Sequence, residues 1–175
     1  MSLDRRIPPN PYDYLPKVAE FAVRSQQVTD GQPLLADQVA EFGNTSPQLI
    51  WGEPPVGTKS FVVTCFDPDA PIVSGYWHWV AVDIPGDVRE LPVGAGENDG
   101  TLPGNAFHVR NDGGTLGYQG AAPPKGDYPH RYYFVVHAVA EESLGVDASM
   151  SPAVVGFNLA FKSIGRAIIH GTYQN

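Results

Sequence analysis

The sequence predicts a mainly β protein, an antiparallel β-sandwich that ends in a C-terminal amphipathic helix. Seventeen prolines and nineteen glycines punctuate the 175 residues at short intervals. The segments between them alternate, or run apolar, over about four to eight residues, as strands do. One C-terminal stretch instead steps its apolar side chains by three and four. Taken in order, residues 1–17 read as an N-terminal arm, loosely ordered over residues 1–14, ahead of a single domain over 18–175. Strands are expected at 18–24, 48–51, 60–66, 76–84, 106–110 and 131–139, with Asn111-Asp112-Gly113-Gly114 as a turn. Several are apolar on both faces, which suits two sheets packed face to face. In the last segment Val154, Phe157, Phe161, Ile164 and Ile168 form a helical stripe behind Ser151 as N-cap and Pro152 at the first helical position, with Gly171 at the end. A helix over about 152–169 should therefore lie against a sheet.

Composition narrows the function. A chain with 42% hydrophobic residues can bury about 70% of its unfolded surface in one core. Eleven basic against nineteen acidic residues give a net charge of −8, with no run of Lys or Arg, so nucleic acid and anionic membrane surfaces are poor partners. The single cysteine, Cys65, excludes an intrachain disulfide framework and agrees with a cytoplasmic location. It lies within an apolar strand and reads as a buried, inert thiol. No stretch approaches the roughly 18 apolar residues that span a bilayer, and no apolar signal segment follows the N-terminal charges. Stable membrane insertion is not expected.

The segment most able to carry chemistry is Asp67-Pro68-Asp69-Ala70-Pro71, which leaves the apolar run Phe61–Phe66. Each proline holds its own φ near about −65° and keeps the preceding residue extended. Asp67 and Asp69, two residues apart, can then point the same way. Two histidines follow in apolar contexts, His78 within Tyr76-Trp77-His78-Trp79-Val80 and His130 ahead of Arg131-Tyr132-Tyr133-Phe134. Period two gives one face as Tyr76, His78, Val80 and Val82 and the other as Trp77, Trp79, Ala81 and Asp83, and sets His130 with Tyr132. The Gly120–Gly126 loop, with Pro123 and Pro124, reads as a pocket wall. Arg131, on the other face from His130, is expected to form a structural ion pair. The unspecific alternative is a capped turn with two satisfied core histidines. One Asp with two His is also the ligand set of a facial triad, yet nothing else has metal-ligand spacing, so neither metal nor cofactor is expected. His108, His137 and His170 have no partner motif, and no nucleophile elbow or dinucleotide-binding glycine loop is present.

Together, Asp67–Pro71, Trp77-His78-Trp79, the Pro123-Pro124 loop running into His130-Arg131-Tyr132, Ser46–Trp51 and Ser151-Pro152-Ala153 resemble the phosphatidylethanolamine-binding protein family. The match runs in register from about 18 to 173. Arg110-Asn111-Asp112 with Gly117-Tyr118, and the short Pro71–His78 link, are most similar to its bacterial and archaeal, Raf-kinase-inhibitor-like branch. Ala121-Ala122 departs from the glycine or small residue common there, and the eukaryotic C-terminal extension has no counterpart. The resemblance implies a β-sandwich with a small anion pocket for phosphate, phosphorylethanolamine or a similar headgroup, formed by Asp67, Asp69, Pro71, Tyr76, His78, Pro123, His130 and Tyr132. The expected function is a binder, not an enzyme, that modulates other proteins such as kinases or peptidases. Two competitors are a phosphoester hydrolase with a His/Asp general base and a protein-only inhibitor. Three Trp, eight Tyr and eight Phe exceed core needs and suggest a homodimer.

Overall fold

The computed structural model describes residues 3–175. Its backbone is a sandwich of two sheets. The chain forms β1 (Ala19–Glu20), β2 (Val23–Arg24), β3 (Leu49–Trp51), β4 (Ser60–Asp67), β5 (Tyr76–Pro85), β6 (Glu90–Leu91), β7 (Phe107–His108), β8 (His130–Val139), α1 (Pro152–Lys162) and β9 (Ser163–Tyr173). The large sheet has the order β1-β9-β8-β4-β5-β7 and the small one β2-β3-β6. Pairing is antiparallel except between β1 and β9. β4 is central, with Phe61-Val62-Val63-Thr64-Cys65-Phe66 buried throughout, which is why it reads as a continuous apolar run instead of an alternating one.

The inner face of the large sheet packs on the small one through Leu49, Trp51, Phe61, Trp79, Tyr132 and Phe134. Burying each such side chain contributes about 1.5–3 kcal/mol. The outer face is covered at one end by α1, whose Val155 and Leu159 meet Val62, Val80 and Val82. At the other end the N-terminal arm makes a single 3₁₀ turn, Pro11–Tyr14, and lays Tyr12 on Tyr133 and Val135. Residues of the arm are thus tied down by packing.

Four elements differ from the sequence reading. The expected strand 18–24 is two short strands in different sheets. Phe21-Ala22 crosses between them, Phe21 N donating to Arg166 and Ala22 O accepting from Gly52. The strand expected at 106–110 is only β7, and β6 has too few residues to show a period. The largest difference is at the C-terminus. The helix starts at Pro152 as expected, although the Ser151 side chain makes no capping bond, and ends at Lys162 rather than continuing to 169. From there β9 pairs with β8 from Val139↔Ser163 to His130↔Tyr173. Gly165 is part of the reason: a Cβ there would lie 2.7 Å from the Pro55 ring, so close packing of this strand requires glycine. The apolar stripe read from the sequence is consequently not the buried one. Phe157 is 66% and Phe161 76% exposed, while Pro152, Val155 and Leu159 face the sheet.

This assignment of faces is measurable by urea unfolding. Leu159→Ala should destabilise the protein by about 2–4 kcal/mol, the usual cost of truncating a buried leucine, whereas Phe161→Ala should stay within about 0.5 kcal/mol. The reverse order would restore the stripe that the sequence suggests.

Candidate functional site

The site forms where the end of β4 lies beside the start of β8. Asp67 closes β4, and its Oδ1 accepts hydrogen bonds from the main-chain N–H of Asp69 at 2.7 Å and of Ala70 at 3.1 Å, a turn that the flanking prolines favour. Its Oδ2 is left to accept from His130 Nδ1 at 2.7 Å. Asp69 serves a different cation. It accepts from Arg131 Nε at 2.7 Å, Arg131 Nη2 at 2.8 Å and the Arg131 main-chain N–H at 2.8 Å. Strand alternation turns His130 inward and Arg131 outward, so each carboxylate meets its own partner. The two do not converge on one point, and the ion pair expected for Arg131 is present. Pro71 is exposed on the loop, in a groove shared with Arg6, Pro9 and Phe66.

His130 is buried and both its ring nitrogens face carboxylates. Nε2 lies 3.0 Å from Asp127 Oδ2, so each nitrogen carries a proton and the ring is an imidazolium. Burial opposes that charge, but the bonds to Asp67 and Asp127 outweigh it and raise the pKa above the ordinary histidine value. Asp127 is held in turn by Arg5 of the arm, whose Nη1 donates to Oδ1 at 2.8 Å and to Oδ2 at 2.7 Å. Burial pushes the Asp127 pKa up, but hydrogen bonds from His130 and Arg5 bring it below the ordinary carboxylate value. Arg5 also donates to the Asp69 carbonyl and lies 4.6 Å over the Tyr128 ring. Neither Arg5 nor Asp127 is among the residues picked out from the sequence. Asp127, three positions before His130 in a Gly-Asp-Tyr-Pro turn, offered a local cue; Arg5 offered none.

His78 owes its position to irregular pairing. In the β4–β5 ladder Cys65 pairs with Trp79 and Phe66 with Trp77, which leaves His78 as the extra residue of a bulge. The strict two-residue period fails there. Trp77 lies with Val80 and Val82 on the outer face, while His78 meets Tyr132 with ring centroids 5.1 Å apart and Trp79 enters the inner core. His78 Nδ1 bonds the Gln119 carbonyl at 2.9 Å, and the Gln119 N–H donates to the His78 carbonyl at 2.9 Å. Loop 119–121 is pressed against the domain: a Cβ on Gly120 would fall 2.4 Å from the Ala40 nitrogen. Burial lowers the His78 pKa, against the bond to Gln119. The ring is neutral, with Nδ1–H donating and Nε2 an acceptor. Tyr76 bonds Gln119 Oε1 through its hydroxyl at 3.0 Å, and its ring lies 4.8 Å from His78. Tyr132 is buried with its hydroxyl unpartnered among the described residues. Pro123 is buried in the adjoining loop, its carbonyl accepting from Asn175. The cluster thus joins Asp67 to His130, and Tyr76 and Tyr132 to His78.

The remaining candidates have structural partners. Cys65 is fully buried, and burial raises its thiol pKa well above the usual range. His108 pairs with Asp99 at 2.8 Å and His170 with Asp30 at 2.8 Å. His137 approaches Thr64 at 3.4 Å, and burial, with the nearby Arg166 charge, lowers its pKa to about 3. Among the described residues no three His, Cys, Asp or Glu side chains could hold a metal ion. No helix among them is long and apolar enough to cross a membrane.

Comparisons with known proteins bear on this geometry. A family model described as phosphatidylethanolamine-binding protein matches residues 24–174. The UPF0098 protein YbcL of Escherichia coli K12 is 48% identical over 164 residues, covering 90% of each chain. YbhB of the same organism is 53% identical over 131 residues, covering 75% of this chain and 82% of YbhB. The crystal structure of E. coli YbcL, described as a new member of the mammalian PEBP family, superposes with a TM-score of 0.87, covering 90% of this chain and 99% of that one. A Chlamydia trachomatis homologue, CT736, superposes with a TM-score of 0.76 at 26% identity, covering 89% of this chain and 98% of that one.

The charge states predict opposite pH effects for two buried histidines. The raised pKa of His130 makes its contribution to stability complete below about pH 6.5 and lost as pH rises through the raised folded value. His137, neutral in the fold, stabilises above about pH 6.5, and that contribution is lost as pH falls from there toward about 3. Urea midpoints should therefore decline on the alkaline side in the wild type but not in His130→Gln, while His137→Phe should lose part of the acid-side decline. An alkaline decline unchanged in His130→Gln would mean that the ring is neutral in the fold.

Proposed function

The chain belongs to the phosphatidylethanolamine-binding protein family, and on that premise we propose that it binds small phosphate-containing or other anionic ligands at the Asp67–His130–His78 cluster. The observation that carries this reading is the Asp127 carboxylate 3.0 Å from His130 Nε2. That carboxylate occupies the place a ligand oxygen would take. Asp67 keeps the ring charged from the other side, so a phosphoryl oxygen that displaces Asp127 meets a donor already oriented and ionised. Arg5, released from Asp127, supplies a second cation to the same anion. His78 adds discrimination. Its neutral Nε2 accepts a proton, so it suits a ligand bearing P–OH better than one with bare oxygens. Hydrogen phosphate, which keeps a P–OH at neutral pH, has this chemistry.

The hydrolase reading is weaker on the same geometry. Both nitrogens of His130 donate to carboxylates, which leaves that ring no lone pair to accept a proton from water; a general base would have to be His78, whose Nδ1 is held by the Gln119 carbonyl and not by Asp67. Among the described residues no hydroxyl or thiol is hydrogen-bonded to either site histidine as a nucleophile would be. On this proposal the protein works by being occupied, and a kinase, peptidase or other protein partner would read the bound state.

Calorimetry with inorganic phosphate tests the assignment. The wild type should bind weakly, His78→Ala about tenfold more weakly, as loss of one good hydrogen bond predicts, and Asp127→Asn more tightly because the competing carboxylate is gone. Equal affinities for wild type and His78→Ala would remove His78 from the site. Turnover of p-nitrophenyl phosphate that is abolished by His78→Gln would replace the binder with the hydrolase.

The protonation state of His78 adds a second test. At pH 7.5 phosphate should bind more tightly than sulfate, and the difference should narrow as pH falls and His78 takes up its proton. A sulfate affinity that does not change with pH would contradict a neutral, ligand-facing ring.

A further inference from the structure

Alternation along β8 leaves Tyr133 and His137 on the outer face of the large sheet, away from Asp67 and His130, and Arg166 of β9 stands beside His137 in register. Between this face and the arm lies a cavity of about 630 Å³, a volume usual for small-molecule sites. Arg166 lines it. The residue is only 9% exposed, yet its Nε has no hydrogen-bond partner among the described residues, and none of their ion pairs includes it. Its neighbours do not compensate the charge: Tyr12 offers a ring face 5.6 Å away, and His137 is neutral. Arg5 and Arg131, by contrast, each hold a carboxylate. A buried guanidinium without an anion is costly to fold and marks a place where an anion belongs.

The rim adds the opposite charge. Asp13, Glu20, Asp30 and Lys17 line the cavity, and Asp30 is engaged by His170, which leaves two carboxylates against one lysine. Leu15, Phe21 and Ile168 supply apolar wall. We propose that this cavity is a second ligand site, separate from the phosphate site, that takes a small apolar zwitterion of amino-acid or short-peptide chemistry, its carboxylate on Arg166 and its amine at the Asp13 and Glu20 rim. A simple anion would be repelled by the rim, and a simple cation would leave Arg166 unpaired.

The test uses the dipeptide Leu-Leu, its C-terminal amide and its N-acetyl derivative, followed by NMR shifts of Tyr12, Phe21 and Ile168 in the full chain. Leu-Leu should shift these signals at millimolar concentration. The amide should bind at least tenfold more weakly and the acetyl derivative severalfold more weakly. Arg166→Met should abolish the response while leaving inorganic phosphate binding unchanged, which separates this site from the one around His130. Arg166→Met should also melt at the same temperature or higher, since it removes an unpaired buried charge at similar volume. No shift with any of the three peptides, an amide that binds as well as the free acid, a response retained in Arg166→Met, or a melting temperature lowered by several degrees would each overturn the proposal.

Discussion

A single positive charge, the imidazolium of His130, organises one end of the sandwich. It is buried between Asp67 and Asp127, and a buried charge is tolerable only when paired and hydrogen-bonded. Two carboxylates around one imidazolium leave an excess negative charge, which Arg5 of the arm offsets at Asp127. Docking of the arm, the turn after β4 and the start of β8 therefore all depend on the same ion cluster. Asp69 and Arg131 repeat the device two residues beyond Asp67 and one beyond His130, with Arg131 also donating to the Pro8 carbonyl. The two clusters fasten the arm from both sides.

The same arrangement links stability to binding. On the proposed reading Asp127 stabilises the free protein by occupying the anion position, and a ligand would have to replace it to reach His130. Affinity at such a site is the difference between two similar interactions, so modest affinity is the physical expectation. On that reading Arg5 would pass from Asp127 to the anion, so the arm would stay anchored there as well as through Tyr12 on the outer face and the Arg131 bond to Pro8.

Much of this end of the fold was legible in the sequence. Proline-stiffened carboxylates after a buried strand, and His130 in alternation with Tyr132, placed Asp67, His130 and Tyr132 on the correct elements, and the outward turn of Arg131 foretold its ion pair. What was not legible came from long-range geometry. Arg5 meets Asp127 across 122 residues, and nothing local in either segment announces the contact. His78 reaches Tyr132 through a bulge that breaks the period on which the faces were assigned. The C-terminal stripe misled because Ile164 and Ile168 continue a three-four spacing that really ends at Lys162. Pairing with β8 and close packing at Gly165 override helical propensity there.

What a phosphate ion touches is the most direct measurement of the His130 site. A crystal structure of the protein soaked in phosphate, refined to a resolution that separates the carboxylate from the anion, should show a phosphate oxygen on His130 Nε2, Asp127 turned away and Arg5 detached from it. Phosphate bound elsewhere, or Asp127 still within hydrogen-bond distance of His130 Nε2 at full ligand occupancy, would contradict it.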